Sequence, residues 1–200
     1  MRIGLDFDNT IVSYDALFHK VALEQGHIPA TTPLNKNAVR DHMRAQGNED
    51  AWTAMQGYVY GARMQEAAAY ARAVDVMQAL KQAGHQLFII SHKTRTPYAG
   101  PAYDLHESAR GWIATHLMDN NAAPIFAAND VYFHETKEQK IARISELKCD
   151  VFLDDLPEIL LHKNFPTDVK RFLFSTAGTA QSEWTVVDSW SAFEQVVSGA

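Results

Sequence analysis

Arg2-Ile3-Gly4-Leu5-Asp6-Phe7-Asp8-Asn9-Thr10 is the stretch that decides the fold of this 200-residue chain. It begins as a short, mostly apolar strand over Arg2–Phe7 and runs straight into carboxylates. Side chains alternate across a strand, so Asp6 and Asp8 face the same way wherever extended geometry persists. An apolar strand that stops in acids places them at its carboxyl end, where open parallel sheets bind their ligands.

Outward from this stretch, strands and helices alternate. Residues 13–25 carry Tyr14, Leu17, Phe18 and Val21 at helical spacing, with Gly26 as the stop. Residues 29–69 read as helical, with breaks at Pro33 and Gly47-Asn48, and with Met55, Tyr58, Val59 and Ala62 on one face. Gly57 and Gly61 stand four apart there, a spacing that lets another backbone approach closely. A helix over 71–83 closes at Gly84. The strand Gln86–Ile90 follows, its unbroken Leu87-Phe88-Ile89-Ile90 run suited to burial on both faces.

Ala109, Trp112, Ile113, His116 and Leu117 then define an amphipathic helix, and Val131–Phe133 a further strand. Thr136 and Gln139 match a capping box opening a helix over 137–148. Val151–Leu153 is a strand, Pro157 suits a helix start, Arg171–Phe174 is a fifth strand and 189–197 a last helix. Ser175-Thr176-Ala177-Gly178-Thr179 resembles a phosphate loop only superficially and reads as an ordinary loop. The rhythm predicts an α/β fold, a central parallel sheet with helices on both faces.

Composition narrows the chemistry. A hydrophobic fraction of 46% is ordinary for a globular chain. The formal charge of −6 and pI near 5.8 give no general attraction to nucleic acid or anionic membrane. Cys149 is the single cysteine, so no internal disulfide forms and a reducing cytoplasm is expected. No apolar run approaches the roughly 20 residues that cross a bilayer.

Three strand ends carry the polar residues. Asp6 and Asp8 follow the first, Ser91, His92 and Lys93 the second, and Asp154-Asp155 closes Phe152-Leu153. His92 and Lys93 each suit either a substrate contact or a solvated loop position. In a parallel sheet these ends meet at one edge and crowd four carboxylates together. Such a group repels itself unless protons or a cation intervene. Magnesium, a hard cation that takes oxygen ligands, water and phosphate, is the natural counter-ion. Lys137 and Lys140, near the start of one helix, offer an ammonium for phosphoryl charge.

Asp6-Phe7-Asp8-Asn9-Thr10, Phe88-Ile89-Ile90-Ser91, the Lys137/Lys140 helix and Phe152-Leu153-Asp154-Asp155 together resemble the four ordered motifs of the haloacid dehalogenase (HAD) superfamily. The resemblance spans residues 2 to about 160. It implies a Rossmann-like three-layer sandwich and a phosphate-ester hydrolase. Asp6 would be the nucleophile and Asp8 the general acid and base. Asp6, the backbone carbonyl of Asp8, Asp154 and Asp155 would hold Mg2+. Ser91, His92 and a lysine would meet the phosphoryl group, with Lys140 favoured by its place 14 residues before Asp154. Dehalogenases of the superfamily lack an acid at the position of Asp8, so Asp8 implies phosphate chemistry.

Asp6 and Ser91 are 85 positions apart, far beyond the roughly 30 residues of a direct crossover. The excess is read as a helical cap over 15–70, leaving 1–14 and 71–200 as the catalytic core. Arg40, His42, Arg44, Trp52 and Tyr58 are the cap residues with chemistry suited to a substrate. The expected partner is a small phosphorylated metabolite, with no nucleic-acid polymer and no membrane. Two other readings use the same residues: a phosphomutase or phosphotransferase, and a non-catalytic binding module of the same fold.

Overall fold

Gly4 sits at the centre of a sheet whose strands all run the same way. The computed structural model describes residues 1–175 and 183–199. Its strands are β1 (Arg2–Leu5), β2 (Val12–Ser13), β3 (Ala68–Ala69), β4 (Gln86–His92), β5 (Val131–His134), β6 (Val151–Asp154), β7 (Lys170–Phe174) and β8 (Thr185–Val187). Six of them form one parallel sheet in the order β5-β4-β1-β6-β7-β8. Gly4 lies beside Phe88 of β4 and Phe152 of β6, and Leu5 beside Ile89 and Leu153.

The helices are α1 (Asp15–Glu24), α2 (Lys36–Ala45), α3 (Glu49–Tyr60), α4 (Ala73–Gln82), α5 (Leu105–His116), α6 (Lys137–Glu146), α7 (Pro157–Leu160) and α8 (Trp190–Ser198). The chain divides into two compact units, one of residues Met1–Val12, Ala69–Lys93 and His116–Ala200, the other of Ser13–Ala68 and Thr94–Thr115.

The first unit holds the sheet, and alternation along the strands covers both of its faces. Phe88, Ile90, Phe152 and Leu173 pack with Ile141 and Ile144 of α6 and Ile159 and Leu160 of α7. The residues flanking Leu173 point the other way. Phe172 meets Phe193 at 5.5 Å between ring centroids, and Phe174 meets Trp190 at 6.4 Å, both on α8. The Trp190 indole donates to the Thr10 carbonyl at 3.0 Å, tying α8 to the loop after β1.

The expected strand over Arg2–Phe7 stops at Leu5 because the chain turns. Ile11 and Val12 both donate their N–H to the Phe7 carbonyl at 3.0 Å, and Asn9 takes a left-handed φ of 58°. Asp6 still donates to the Leu153 carbonyl at 2.9 Å, which carries the ladder one residue past β1. The edge strand β8 was not anticipated, for three residues carry too little pattern. Thr176–Thr179, part of the loop expected after β7, lies outside the described residues.

The second unit is helical. Phe18 of α1 packs on Trp52 of α3 at 5.1 Å and on Tyr60 at 5.6 Å, and Tyr14 meets Tyr60 at 4.9 Å. Trp52 is therefore core packing. Arg40 pairs with Asp41 at 2.8 Å and Arg44 with Glu49 at 2.6 Å, while Tyr58 lies under the Arg63 guanidinium. His42 lines a shallow hollow with His27, Gln46 and Asn48.

This unit includes residues 94–115, which the sequence reading left with the sheet. The reason lies in the two glycines of α3. A Cβ at Gly57 would stand 2.9 Å from the Ala99 carbonyl, and one at Gly61 would stand 2.5 Å from Tyr103. Bare backbone at both positions lets the segment after β4 lie against α3.

Gly4 imposes the same demand within the sheet. A Cβ there would stand 2.6 Å from the ring of Phe152 and 3.1 Å from Cys149 Sγ, both fully packed. Gly4→Ala is expected to cost about 1–3 kcal/mol through forced repacking. Urea denaturation checks this, and an unchanged midpoint would contradict the tight contact.

Candidate active site

Strand ends β1, β4 and β6 bring Asp6, Ser91 and Asp154 to one edge of the sheet, all three buried. The Ser91 hydroxyl donates to Asp6 Oδ1 at 2.8 Å. Lys140 Nζ donates to the same oxygen at 2.6 Å and to Asp154 Oδ2 at 2.6 Å. Asp6 Oδ2 has a longer contact, 3.5 Å, from the Thr10 hydroxyl. Asp154 Oδ1 accepts the Leu156 N–H at 3.0 Å.

Helix α6 delivers the lysine. Thr136 caps it, its hydroxyl accepting the Gln139 N–H at 3.2 Å. Lys140 shares the inward stripe of Ile141 and Ile144 and is 1% exposed. Lys137, at the helix start, instead pairs with Glu158 at 2.7 Å near the surface. Of the two lysines in the sequence reading, the structure brings Lys140 to the acids.

Alternation past Ser91 sorts the next two residues. His92 turns toward the Glu135 carbonyl, 3.1 Å from its Nε2, and bonds none of the clustered acids. Lys93 turns back in. Its ammonium lies 2.8 and 3.0 Å from the two carboxylate oxygens of Asp8, with the side chain 4% exposed. Sequence reading left Lys93 between a substrate contact and a solvated loop residue. The signal it missed was the two-residue period from Ser91.

Asp6, Asp154 and Asp155 each offer a carboxylate oxygen within 4.8 Å of the others. Burial pushes Asp154 up to about 7, with Asp6 adding to the rise and Lys140 opposing it. Burial, then Asp6 and Asp154, push Asp155 well above the ordinary carboxylate range. Burial pulls Lys140 down, but Asp154 and Asp6 outweigh it and hold its ammonium above the usual lysine range. Three crowded carboxylates with one ammonium leave excess negative charge among oxygen donors, which fits a hard divalent cation. The carboxylate of Asp8 stands outside this cluster, on Lys93, which leaves its assigned metal contact to the backbone carbonyl.

No protein-family model matches the sequence, and no curated protein matches it. Solved structures do. A HAD-superfamily hydrolase from Ehrlichia chaffeensis is 12% identical with a TM-score of 0.55, over 99% of this chain and 96% of that one. A HAD family hydrolase from Deinococcus radiodurans, solved with bound phosphate and sodium, is 13% identical at 0.57, over 99% and 95%. A predicted phosphoglycolate phosphatase from Haemophilus somnus is 12% identical at 0.57, over 98% and 96%. The chain thus has the fold of the haloacid dehalogenase superfamily.

The buried charges set a pH dependence. An acid raised from 3.8 to about 7 binds more protons folded than unfolded, so stability falls as pH rises through that window. Metal-free protein should therefore unfold at lower urea at pH 8 than at pH 5. Lys140→Met should remove about 3–5 kcal/mol at pH 8 by stranding two buried carboxylates, and less at pH 5, where Asp154 takes up a proton. Urea titrations of both proteins at the two pH values check this. An equal loss at both would mean that the stranded charge is not the cause.

Proposed function

We propose that the chain is a magnesium-dependent phosphatase that hydrolyses a small phosphate monoester through an aspartyl-phosphate on Asp6. One observation carries this reading: a buried carboxylate held by a hydroxyl and an ammonium, with two further acids beside it. Ser91 and Lys140 fix Asp6 through Oδ1, which leaves Oδ2 with only its long contact to Thr10 among the described residues. That oxygen is the one to attack phosphorus.

In the first step the bond from Asp6 Oδ2 to phosphorus forms as the ester bond breaks, and Asp8 gives its proton to the departing oxygen. In the second, Asp8 takes a proton from water as the water oxygen bonds phosphorus. The Asp6–phosphorus bond then breaks, inorganic phosphate leaves and both carboxyl groups are restored. Lys140 and Ser91 stabilise the phosphoryl oxygens throughout, the kind of positioning that dominates phosphoryl transfer. Magnesium, held by Asp6, Asp154, Asp155 and the Asp8 carbonyl, would supply charge neutralisation.

The fold alone does not choose the reaction, since a dehalogenase is among the structural neighbours, at 14% identity and a TM-score of 0.52. Asp8 supports phosphate chemistry, because departure of an alkoxide needs a proton whereas departure of a halide does not. The bound phosphate of the Deinococcus protein supports it also. The net charge of −6 supports a small metabolite over a nucleic-acid polymer. No helix among the described residues is long and apolar enough to cross a membrane, and the lone buried Cys149 fits a reducing cytoplasm.

A panel of phosphate esters, assayed for phosphate release with and without magnesium, tests the proposal. Wild type should release phosphate only with the metal, and Asp6→Asn should lose about three orders of magnitude or more. Release that persists in Asp6→Asn would sink the covalent route. Transfer to an added alcohol in preference to water would favour the phosphotransferase reading.

A further inference from the structure

The end of β4 supplies the active-site edge with a second buried ammonium. Lys140 serves Asp6 and Asp154, whereas Lys93 grips Asp8 through both of its oxygens. We infer that Lys93 is the positioning residue of Asp8, holding it where it exchanges a proton with the departing oxygen; this rests on the phosphatase reading.

The sheet itself fixes the base of this side chain. His92 pairs with His134 across β4 and β5, and Lys93 extends the contact by donating its N–H to the His134 carbonyl at 2.8 Å. From there the side chain crosses to the loop after β1. Its ammonium lies 5.7 Å from the centre of the Phe7 ring, and that ring meets the edge of Phe133 at 5.6 Å and 71°. The lysine is buried, with its ammonium beside the Phe7 ring.

Asp8 stands on a turn, where the Lys93 ammonium reaches it. It leads directly into Asn9, with its left-handed φ of 58°, in the turn that ends β1, and its side chain remains 21% exposed. A short carboxylate on a turn samples several rotamers unless something holds it. A fork of hydrogen bonds from one fixed ammonium to both oxygens removes that freedom. Burying an ammonium is costly, and a pair of apolar residues would serve packing at least as well. The charge at this depth therefore points to a role in placing Asp8 beyond filling space.

The role has a signature that packing alone does not share. Proton donation matters most when the departing oxygen is strongly basic, so misplacing Asp8 should penalise alkyl phosphates more than 4-nitrophenyl phosphate. For Lys93→Met, kcat on an alkyl phosphate should fall about 10–100-fold, and on 4-nitrophenyl phosphate less than about 3-fold, with KM nearly unchanged. Lys93→Arg should recover part of the alkyl activity, and Lys93→Met combined with Asp8→Asn should be no slower than Asp8→Asn alone.

Equal losses on both esters would overturn the inference in favour of simple packing. A raised KM with kcat retained would overturn it too, because Lys93 would then bind the substrate phosphate. Crystal structures of wild type and Lys93→Gln give a readout independent of turnover. The Asp8 carboxylate should leave its position in the variant; an unmoved carboxylate refutes the role even if no ester is hydrolysed. Absence of turnover in folded wild type would count against the phosphatase reading and not against the placement of Asp8.

Discussion

Repulsion among carboxylates gathered at the ends of β1 and β6 is the constraint around which this structure is arranged. Asp6 and Asp154 are both buried, and neither would stay so without a cation in reach. Lys140 answers both with one ammonium, 2.6 Å from each. Its position depends in turn on the Thr136 cap and on Ile141 and Ile144, which seat α6 against the sheet. A helix shifted by one residue would carry the lysine around the axis and strand the acids. Packing of α6 and charge balance at the sheet edge are thus one problem.

The arrangement carries a cost in stability. Burial holds Asp154 and Asp155 well above the ordinary carboxylate range even with Lys140 beside them, so ionising both in the folded chain is costly. An interior built for stability alone would place apolar side chains there. Stored repulsion of this kind makes a divalent cation welcome. It also keeps a carboxylate oxygen of Asp6 lightly bonded beside groups suited to phosphoryl oxygens.

Two lysines on different elements divide the work. Lys140 comes from a helix and Lys93 from a strand end, and each is fixed by hydrophobic neighbours before its charge is used. That explains why Lys137 and His92, which the sequence also offered, stand aside: one pairs with Glu158 at the surface and the other turns to the Glu135 carbonyl. In the helical unit the same logic makes Trp52 a packing residue on Phe18 and ties Arg44 to Glu49.

The order of the main strands and helices was legible in the sequence because each of the longer elements carries its own period, whereas the three-residue β8 does not. The unbroken Leu87-Phe88-Ile89-Ile90 run, the cap at Thr136 and the acids after Leu5 and Leu153 are all local signals. They also identify Asp6, Ser91 and Asp154, since residues at parallel strand ends must meet at one edge. What sequence could not settle were contacts between elements distant in the chain. The choice of Lys140 over Lys137, the burial of Lys93 on Asp8 and the gathering of residues 94–115 with the helices needed the tertiary structure. Periodicity is a property of neighbouring residues, whereas the partner of a charge or of a bare glycine backbone is set by packing between segments far apart in sequence.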